Sequence, residues 1–344
     1  MGNEGMSNAK NRQVLLRSRP EGIPEAQHFE IVERPVPEPA EGQVRLRNLY
    51  LSVEPAMRGW VGAVRNYSEP VPLGGVMRSF AVARIEVSRH PDFVAGDIVT
   101  GLFGWQDYAV VDAGAIERRV AERDLPVSTA LGVMGINGVT AHYGLLRIGQ
   151  PGPGDTVVVS TAAGAVGSCV GQIARLHGCR TVGIAGGPQK VRLCLEHFGF
   201  DAAVDYKSPD FEARLAEACA PGVNVYYDNT AGTISDAVYP HLAIGARVVV
   251  CGTASVANWD PPPQGPRLER HLLVKRARIE GFVIFDHPDY GDVARQDLAA
   301  WLRTGRLAYQ EDVLQGLDSA PDAIAGLYRG DNLGKRLIRL APDP

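Results

Sequence analysis

The chain has 344 residues, too many for one ordinary core and enough for two domains. Lys and Arg number 35 against 39 Asp and Glu, a formal charge of −4 that leaves no electrostatic case for nucleic acid or an anionic membrane as partner. No apolar run is long enough to span a bilayer.

The opening MGNEGMSNAKN lacks the apolar stretch of a signal peptide. Gly2 suggests a myristoylation signal, but Met6 occupies its hydroxyl position and Ser7 comes one place late. Residues 1–12 are therefore expected to form a mobile tail. From 13 to about 130 the chain is rich in short strands and turns. Val44–Leu51 alternates apolar and polar, which predicts a half-buried strand. Pro35, Pro37 and Pro39 argue against helix, and Pro72, Gly74, Gly75, Gly96 and Gly101 punctuate the rest of this half. The pattern predicts an irregular antiparallel barrel. This half has no cysteine, and its histidines, His28 and His90, lie in polar, loop-like settings. It therefore lacks a ligand set for a catalytic zinc. Phe103, Trp105 and Tyr108 are either barrel core or an apolar wall for a ligand.

From about 131 to 305 strands and helices alternate. Asn137 and Thr140, in GINGVTAHY, are candidates to touch a nicotinamide or substrate, or else cap a helix. The stretch Val157–Cys179 then runs from a buried-type strand through a tight turn into an amphipathic helix, with Val166, Val170, Ile173 and His177 on one face. The turn, Ala162-Ala163-Gly164-Ala165-Val166-Gly167, is a G-x-G-x-x-G variant with alanine first. Gly164 lets backbone approach a pyrophosphate, Gly167 lets helix pack on strand, and the helix N-terminus attracts the anion. The same pattern also serves as a purely structural corner. Further strands are expected at Ala202–Tyr206, Val223–Asp228, Arg247–Gly252 and Arg278–Phe285, with helices at Phe211–Ala220 and Ser235–Leu242. The fold class is α/β: a doubly wound parallel Rossmann sheet plus the barrel. The last part, 306–344, has short strand-like pieces and is expected to return to the first domain. Cysteines at 169, 179, 194, 219 and 251 contain no C-x-x-C pair and suggest reduced thiols in a cytoplasm, each most simply a packing residue.

The second strand decides the cofactor. An NAD site places Asp or Glu about 20 residues beyond the glycine turn. Here Gly186 and Gly187 stand there, followed by Lys190 and Arg192. A missing acid makes room for a 2′-phosphate, and each charge-assisted contact to it contributes about 1.5–3 kcal/mol. The expected cofactor is NADP(H). The alternative is that Lys190 only decorates an exposed first helical turn.

The order AAGAVGS, Lys190, NTAG, CGTAS, DNLGK after a barrel-like domain resembles the zinc-independent medium-chain dehydrogenase/reductases, within them the prostaglandin/leukotriene reductases and bacterial curcumin reductases. The resemblance runs from Asn11 to Lys335. It implies a GroES-like barrel as substrate domain and NADPH-dependent reduction of conjugated carbon–carbon double bonds. It also implies cofactor contacts. Ala163, Gly164, Ala165 and Val166 match the pyrophosphate turn; Lys190 and Tyr206 match 2′-phosphate contacts. Asn229 and Asn332 match asparagines that hold the cofactor; Cys251, Gly252, Thr253, Ala254 and Ser255 match the loop beside the nicotinamide ribose. Phe282, Val283 and Ile284 match a strand segment lining the nicotinamide. The simpler roles are a cap on an apolar cluster for Tyr206, turns for the asparagines, core for Phe282 and its neighbours, and packing for Cys251. Ala257 replaces a family tyrosine, and Phe80 and Ala83 fill a stretch that is glycine-rich in the family.

The chemistry expected is hydride transfer to the β-carbon of a small apolar enone or enal, with enolate stabilisation and protonation at the α-carbon. Tyr67 is the candidate donor from the first domain, or else a loop anchor. The rival readings are an NADPH quinone oxidoreductase of the same superfamily and a non-catalytic NADPH-binding protein. An exposed edge strand of the nucleotide-binding sheet makes a homodimer the expected partner state.

Overall fold

The computed structural model describes residues 10–256 and 261–344. Residues 1–9 of the tail expected over 1–12, with its Gly2 motif, and the Ala257 departure lie outside the described residues. The chain divides into two compact units, Met1–Leu131 with Glu311–Pro344, and Gly132–Gln310.

In the first unit β1 (Lys10–Leu16) and β2 (Phe29–Pro35) form an antiparallel pair. Residues 10–12 therefore belong to a strand rather than to the tail expected over 1–12. The main sheet contains β3 (Gln43–Ser52), β4 (Ala81–Ser88), β5 (Ile98–Gly101), β6 (Tyr108–Asp112) and β7 (Ile116–Arg119), with the short helix α1 (Met57–Trp60) between β3 and β4. The half-buried alternation expected for β3 fails. Arg45 and Asn48 are as buried as Leu46 and Leu49, because β3 pairs with β4 on one side and with β6 and a C-terminal strand on the other. These polar residues are partly satisfied within the protein: Arg45 Nη1 donates to Glu38 Oε1 at 2.6 Å and Asn48 Nδ2 to the Gln106 carbonyl at 2.8 Å, while Arg45 Nε and Asn48 Oδ1 have no hydrogen-bond partner. Phe103 and Trp105 are 2% and 0% exposed, which makes them core and not a ligand wall.

The second unit opens with α2 (Ile136–Tyr143), which runs on through a π-helical stretch, Gly144–Gly149. Then come β8 (Thr156–Ser160), α3 (Ala165–Leu176), β9 (Arg180–Ala185), α4 (Pro188–Arg192), β10 (Ala202–Asp205), α5 (Phe211–Ala218), β11 (Val223–Asp228), α6 (Gly232–Val238), β12 (Leu242–Val250), α7 (Glu269–Lys275), β13 (Arg278–Gly281) and α8 (Tyr290–Arg303). All six strands pair in parallel in the order β10-β9-β8-β11-β12-β13. This is a doubly wound sheet whose strand order reverses between β8 and β11. Helices cover both faces, so the inner strands are apolar throughout: Val157, Val158, Val159, Val182 and Ile184 are all 0% exposed. On α3, Val170 and Ile173 are buried, as the helical spacing requires, while Val166 and His177 are only half-buried.

Three expected elements differ; the first, the strand read over Arg247–Gly252, runs instead from Leu242 to Val250. The strand read over Arg278–Phe285 stops at Gly281 and is exposed along its length, because β13 is the edge of the sheet. Phe282 and Val283 leave the strand, Ile284 begins a 3-10 turn, and all three are half-buried rather than core. Helix α6 begins at Gly232, ahead of Ser235, because backbone amides just before it are captured by Asp228.

After the second unit, β14 (Glu311–Gln315), α9 (Ala320–Arg329) and β15 (Lys335–Arg339) complete the first. β15 pairs in parallel with β14 and antiparallel with β3. A buried ion pair holds this return, Lys335 Nζ to Glu54 Oε1 at 2.6 Å.

Candidate functional site

Parallel strands put all their carboxyl ends on one edge of the sheet, and ligands of such sheets bind there, at the switch point. Every candidate residue after Asn137 and Thr140, apart from Asn332, comes just past one of these ends.

At the end of β8, Thr161 takes φ 54°, an uncommon conformation for a β-branched residue. It opens the turn from which α3 starts, with Gly164 as N-cap and Ala165, Val166 and Gly167 in the first turn. The N-cap has no side-chain hydrogen bond and the first turn has no acid. Its leading amides and positive dipole end are therefore available to an anion. Gly167 is dictated by contact: a Cβ there would lie 2.3 Å from the Thr161 carbonyl oxygen.

The next two strand ends are tied together. The Gly187 and Lys207 amides both donate to Asp205 Oδ1, at 2.8 and 2.9 Å. Tyr206 is 42% exposed. Its ring lies against Gly186, where a Cβ would meet Cε1 at 2.8 Å and the hydroxyl at 3.0 Å. The place where an NAD site carries an acid must thus be glycine for Tyr206 to sit as it does. Lys190 lies in the first turn of α4, half-buried.

Across the switch point the end of β8 is stitched to that of β11. The Asn229 amide donates to Ser160 Oγ at 2.8 Å, and Asn229 Nδ2 donates to the Ser160 carbonyl at 2.7 Å. The loop after β12 takes the same path. The Cys251 and Gly252 amides donate to the Asp228 carbonyl at 2.8 and 3.1 Å, Ala254 to Asn229 at 3.3 Å and Ser255 to Thr230 at 3.0 Å. Thr253 accepts from the Val256 amide at 3.0 Å, closing the turn. Burial pushes the Cys251 thiol up to about 12, which leaves little thiolate to act as a nucleophile.

Thr140 and Asn137 lie on α2. The Tyr227 hydroxyl donates to the Thr140 carbonyl at 2.9 Å, and the Phe282 ring packs 5.5 Å from that of Tyr143. Asn137 is 6% exposed. The structure therefore brings α2, β11 and the Phe282 segment together. On the same helix, His142 is buried between the Tyr290 hydroxyl and Asp297, at 2.9 and 3.1 Å.

The first unit carries the other candidates. Tyr67 is 55% exposed in a loop after α1. Asn332 Nδ2 donates to the Gly334 carbonyl at 2.8 Å and shapes the turn into β15. His28 and His90 serve local turns: the Glu25 amide donates to His28 Nδ1 at 3.0 Å, and the Asp92 amide to His90 Nδ1 at 3.2 Å. Among the described residues no three His, Cys, Asp or Glu side chains gather as a metal site.

Three residues escaped the sequence reading: Ser160, Asp205 and Asp228. Each ends its strand and binds loop backbone, a role signalled only by a polar residue closing an apolar run.

Residues 12–118 match a family described as the N-terminal domain of oxidoreductase, and residues 165–299 one described as zinc-binding dehydrogenase. The chain is 42% identical to an NADPH-dependent curcumin reductase of Escherichia coli (strain K12), over 98% of this chain and 99% of that one. It is 35% identical to a 2-alkenal reductase (NADP(+)-dependent) of Nicotiana tabacum, over 96% and 98%. The crystal structure of CurA in complex with NADPH from Vibrio vulnificus superposes with a TM-score of 0.91 at 43% identity, covering 96% of this chain and 100% of that one.

Proposed function

The chain belongs to the medium-chain dehydrogenase/reductase family, alongside its enone and alkenal reductases, and on that premise we propose how it works. It is an NADP-dependent oxidoreductase that reduces the carbon–carbon double bond of α,β-unsaturated ketones and aldehydes. The observation that carries this is the end-to-end match, through both units, to an NADPH-dependent curcumin reductase. NADPH, when bound, supplies the hydride. It adds to the β-carbon of the enone, the carbonyl oxygen takes up the electron pair as an enolate, and a proton completes the α-carbon.

We assign the rest to the chain's own residues. The amides of Ala165, Val166 and Gly167, with Ala163 and Gly164 ahead of them, hold the pyrophosphate. The donor set fits: a bare helix N-terminus, close backbone approach, and no acid to repel the anion. Lys190 and Tyr206 hold the 2′-phosphate, over a glycine turn with no side chain in the way. Asn229, the segment Cys251–Ser255 and Phe282–Ile284 flank the nicotinamide half, with Asn137 and Thr140 facing it or the substrate. In the first unit Asn332 and Tyr67 remain the candidates that the family resemblance implies, Asn332 as a cofactor contact and Tyr67 as a donor to an enolate oxygen, where a hydrogen bond that strengthens with charge lowers the barrier. We take the carbonyl to need no zinc.

The acceptor is a small apolar enone. The quaternary state we propose is a homodimer joined along β13, whose exposed edge carries Ile279 at 39% exposure and is open to a second copy. The compartment is a reducing one, the cytoplasm, in keeping with five free cysteines. Purified protein mixed with NADPH and a long-chain alkenone should consume the cofactor and yield the saturated ketone. Formation of the allylic alcohol rejects the reading, and turnover of quinones in preference to enones replaces it with the quinone reductase.

A further inference from the structure

Among the described residues three carboxylates are buried, Glu54, Asp107 and Asp228, and the proposed reaction uses none of them. Asp228 ends β11 at the switch point and is 1% exposed. Its Oδ1 accepts from the Thr230 and Ala231 amides, both at 2.9 Å, from the Tyr226 hydroxyl at 3.1 Å, and from the Ser160 and Thr230 hydroxyls at 3.3 Å. Its Oδ2 accepts from the Ser235 hydroxyl at 2.7 Å. All these partners are neutral. They solvate the charge without cancelling it, and a buried charge without a cation acts over longer range than one in water. Burial first, and the Asp228 charge after it, push up the Tyr226 and Tyr239 hydroxyls, the Asp236 carboxyl and the Cys251 thiol.

The carboxylate also secures a strained loop. Ala231 holds φ 57° beside Gly232 at φ 63°, and the Ala231 amide is one of the two that Asp228 takes. Positive φ at a residue with a Cβ persists only where surrounding contacts impose it. The same side chain thus sets the path of residues 229–232, on which the 251–255 loop is zipped.

A purely structural anchor at this place needs no charge, since an amide side chain offers an oxygen to the same two N–H groups. We propose that Asp228 is a positioning residue whose negative charge biases bound cofactor toward its oxidised, cationic nicotinamide and so favours hydride departure. This deepens the proposed function and rests on its placement of the nicotinamide half beside Asn229 and Cys251–Ser255. The reacting ring gains positive charge as hydride leaves, and a fixed negative charge nearby stabilises that change more than the starting state.

The test is the ratio of NADP⁺ affinity to NADPH affinity, measured by calorimetry on the full chain. Asp228→Asn keeps the shape and removes the charge. The ratio is expected to fall about tenfold, equal to about 1.4 kcal/mol. Tyr226→Phe and Ser235→Ala each remove one donor and keep the charge; the ratio is expected to hold or rise. A folded Asp228→Asn protein with an unchanged ratio overturns the proposal. So does a fall of threefold or more in either donor variant, which assigns the effect to loop geometry; these two decide the matter if Asp228→Asn does not fold. Failure of the underlying site reading looks different: Asn229→Ala would then leave both affinities unchanged.

Discussion

Gly167→Ala tests the anion cradle most directly. The added Cβ would stand 2.3 Å from the Thr161 carbonyl oxygen, 2.9 Å from the Thr161 carbonyl carbon and 3.0 Å from the Ala162 Cα. A comfortable separation between non-bonded heavy atoms is about 3.5 Å, so the start of α3 must withdraw by about 1 Å. All three atoms are backbone, and no rotamer change relieves the contact. Overpacking of this kind costs about 1–3 kcal/mol of stability. The displaced atoms belong to the helix start to which we assign the pyrophosphate. NADPH affinity is therefore expected to weaken by about tenfold to a hundredfold, equal to about 1.4–2.7 kcal/mol. Calorimetric titration with NADPH and a thermal melt separate the two effects. Leu215→Ala serves as control: Leu215 lies on α5, fully buried in the core of the second unit, so its loss should lower the melting temperature and leave NADPH affinity alone. A Gly167→Ala protein that binds NADPH within twofold of wild type refutes the placement of the pyrophosphate at α3.

Lys190→Ala should lower the preference for NADPH over NADH by about tenfold or more, and Gly186→Asp should do the same by displacing Tyr206 and adding a like charge; unchanged cofactor ratios in both would remove the 2′-phosphate assignment. His142 gives a pH dependence. Burial holds its folded pKa below the ordinary value of 6.5, so between the two values the unfolded chain binds more protons. Its contribution to stability is complete above about pH 6.5 and is lost as pH falls through the window below it. Melting temperature should therefore drop on going from about pH 7 to about pH 5, with a flatter profile in His142→Asn; equal slopes would exonerate this residue. Ile279→Lys on the β13 edge should move the protein toward monomer in sedimentation without unfolding it, and a species of unchanged size would place the interface elsewhere.

The doubly wound half was legible because its signals are local. Val157–Val159, the glycine turn and the spacing of Val170 and Ile173 lie within one strand–helix unit, and buried parallel strands read as unbroken apolar runs. The same holds for Gly186, whose informative property is the absence of a side chain. Edge and centre were not legible. In Arg278–Phe285 the apolar second half, Phe282–Phe285, reads as inner strand, yet the strand stops at Gly281, and the charged Arg278 and Glu280 are the one local hint that β13 is an edge. β3 alternates like a half-buried strand, yet pairing on both sides, with β15 arriving from almost 300 residues away, buries Arg45 and Asn48.

By itself the amino-acid order determined which segments pair with their own neighbours, which helix start is bare of side chains, and that no acid follows the second strand. Those depend on periodicity, on glycine and on charge, all of which act within a few residues. The tertiary structure alone decided that Asp205 and Asp228 act through loop backbone, that Tyr206 needs a bare Gly186, and that Phe103 and Trp105 are core. A polar residue at a strand end looks the same whether it meets water or a captured amide, and only the path of the loops around it settles which.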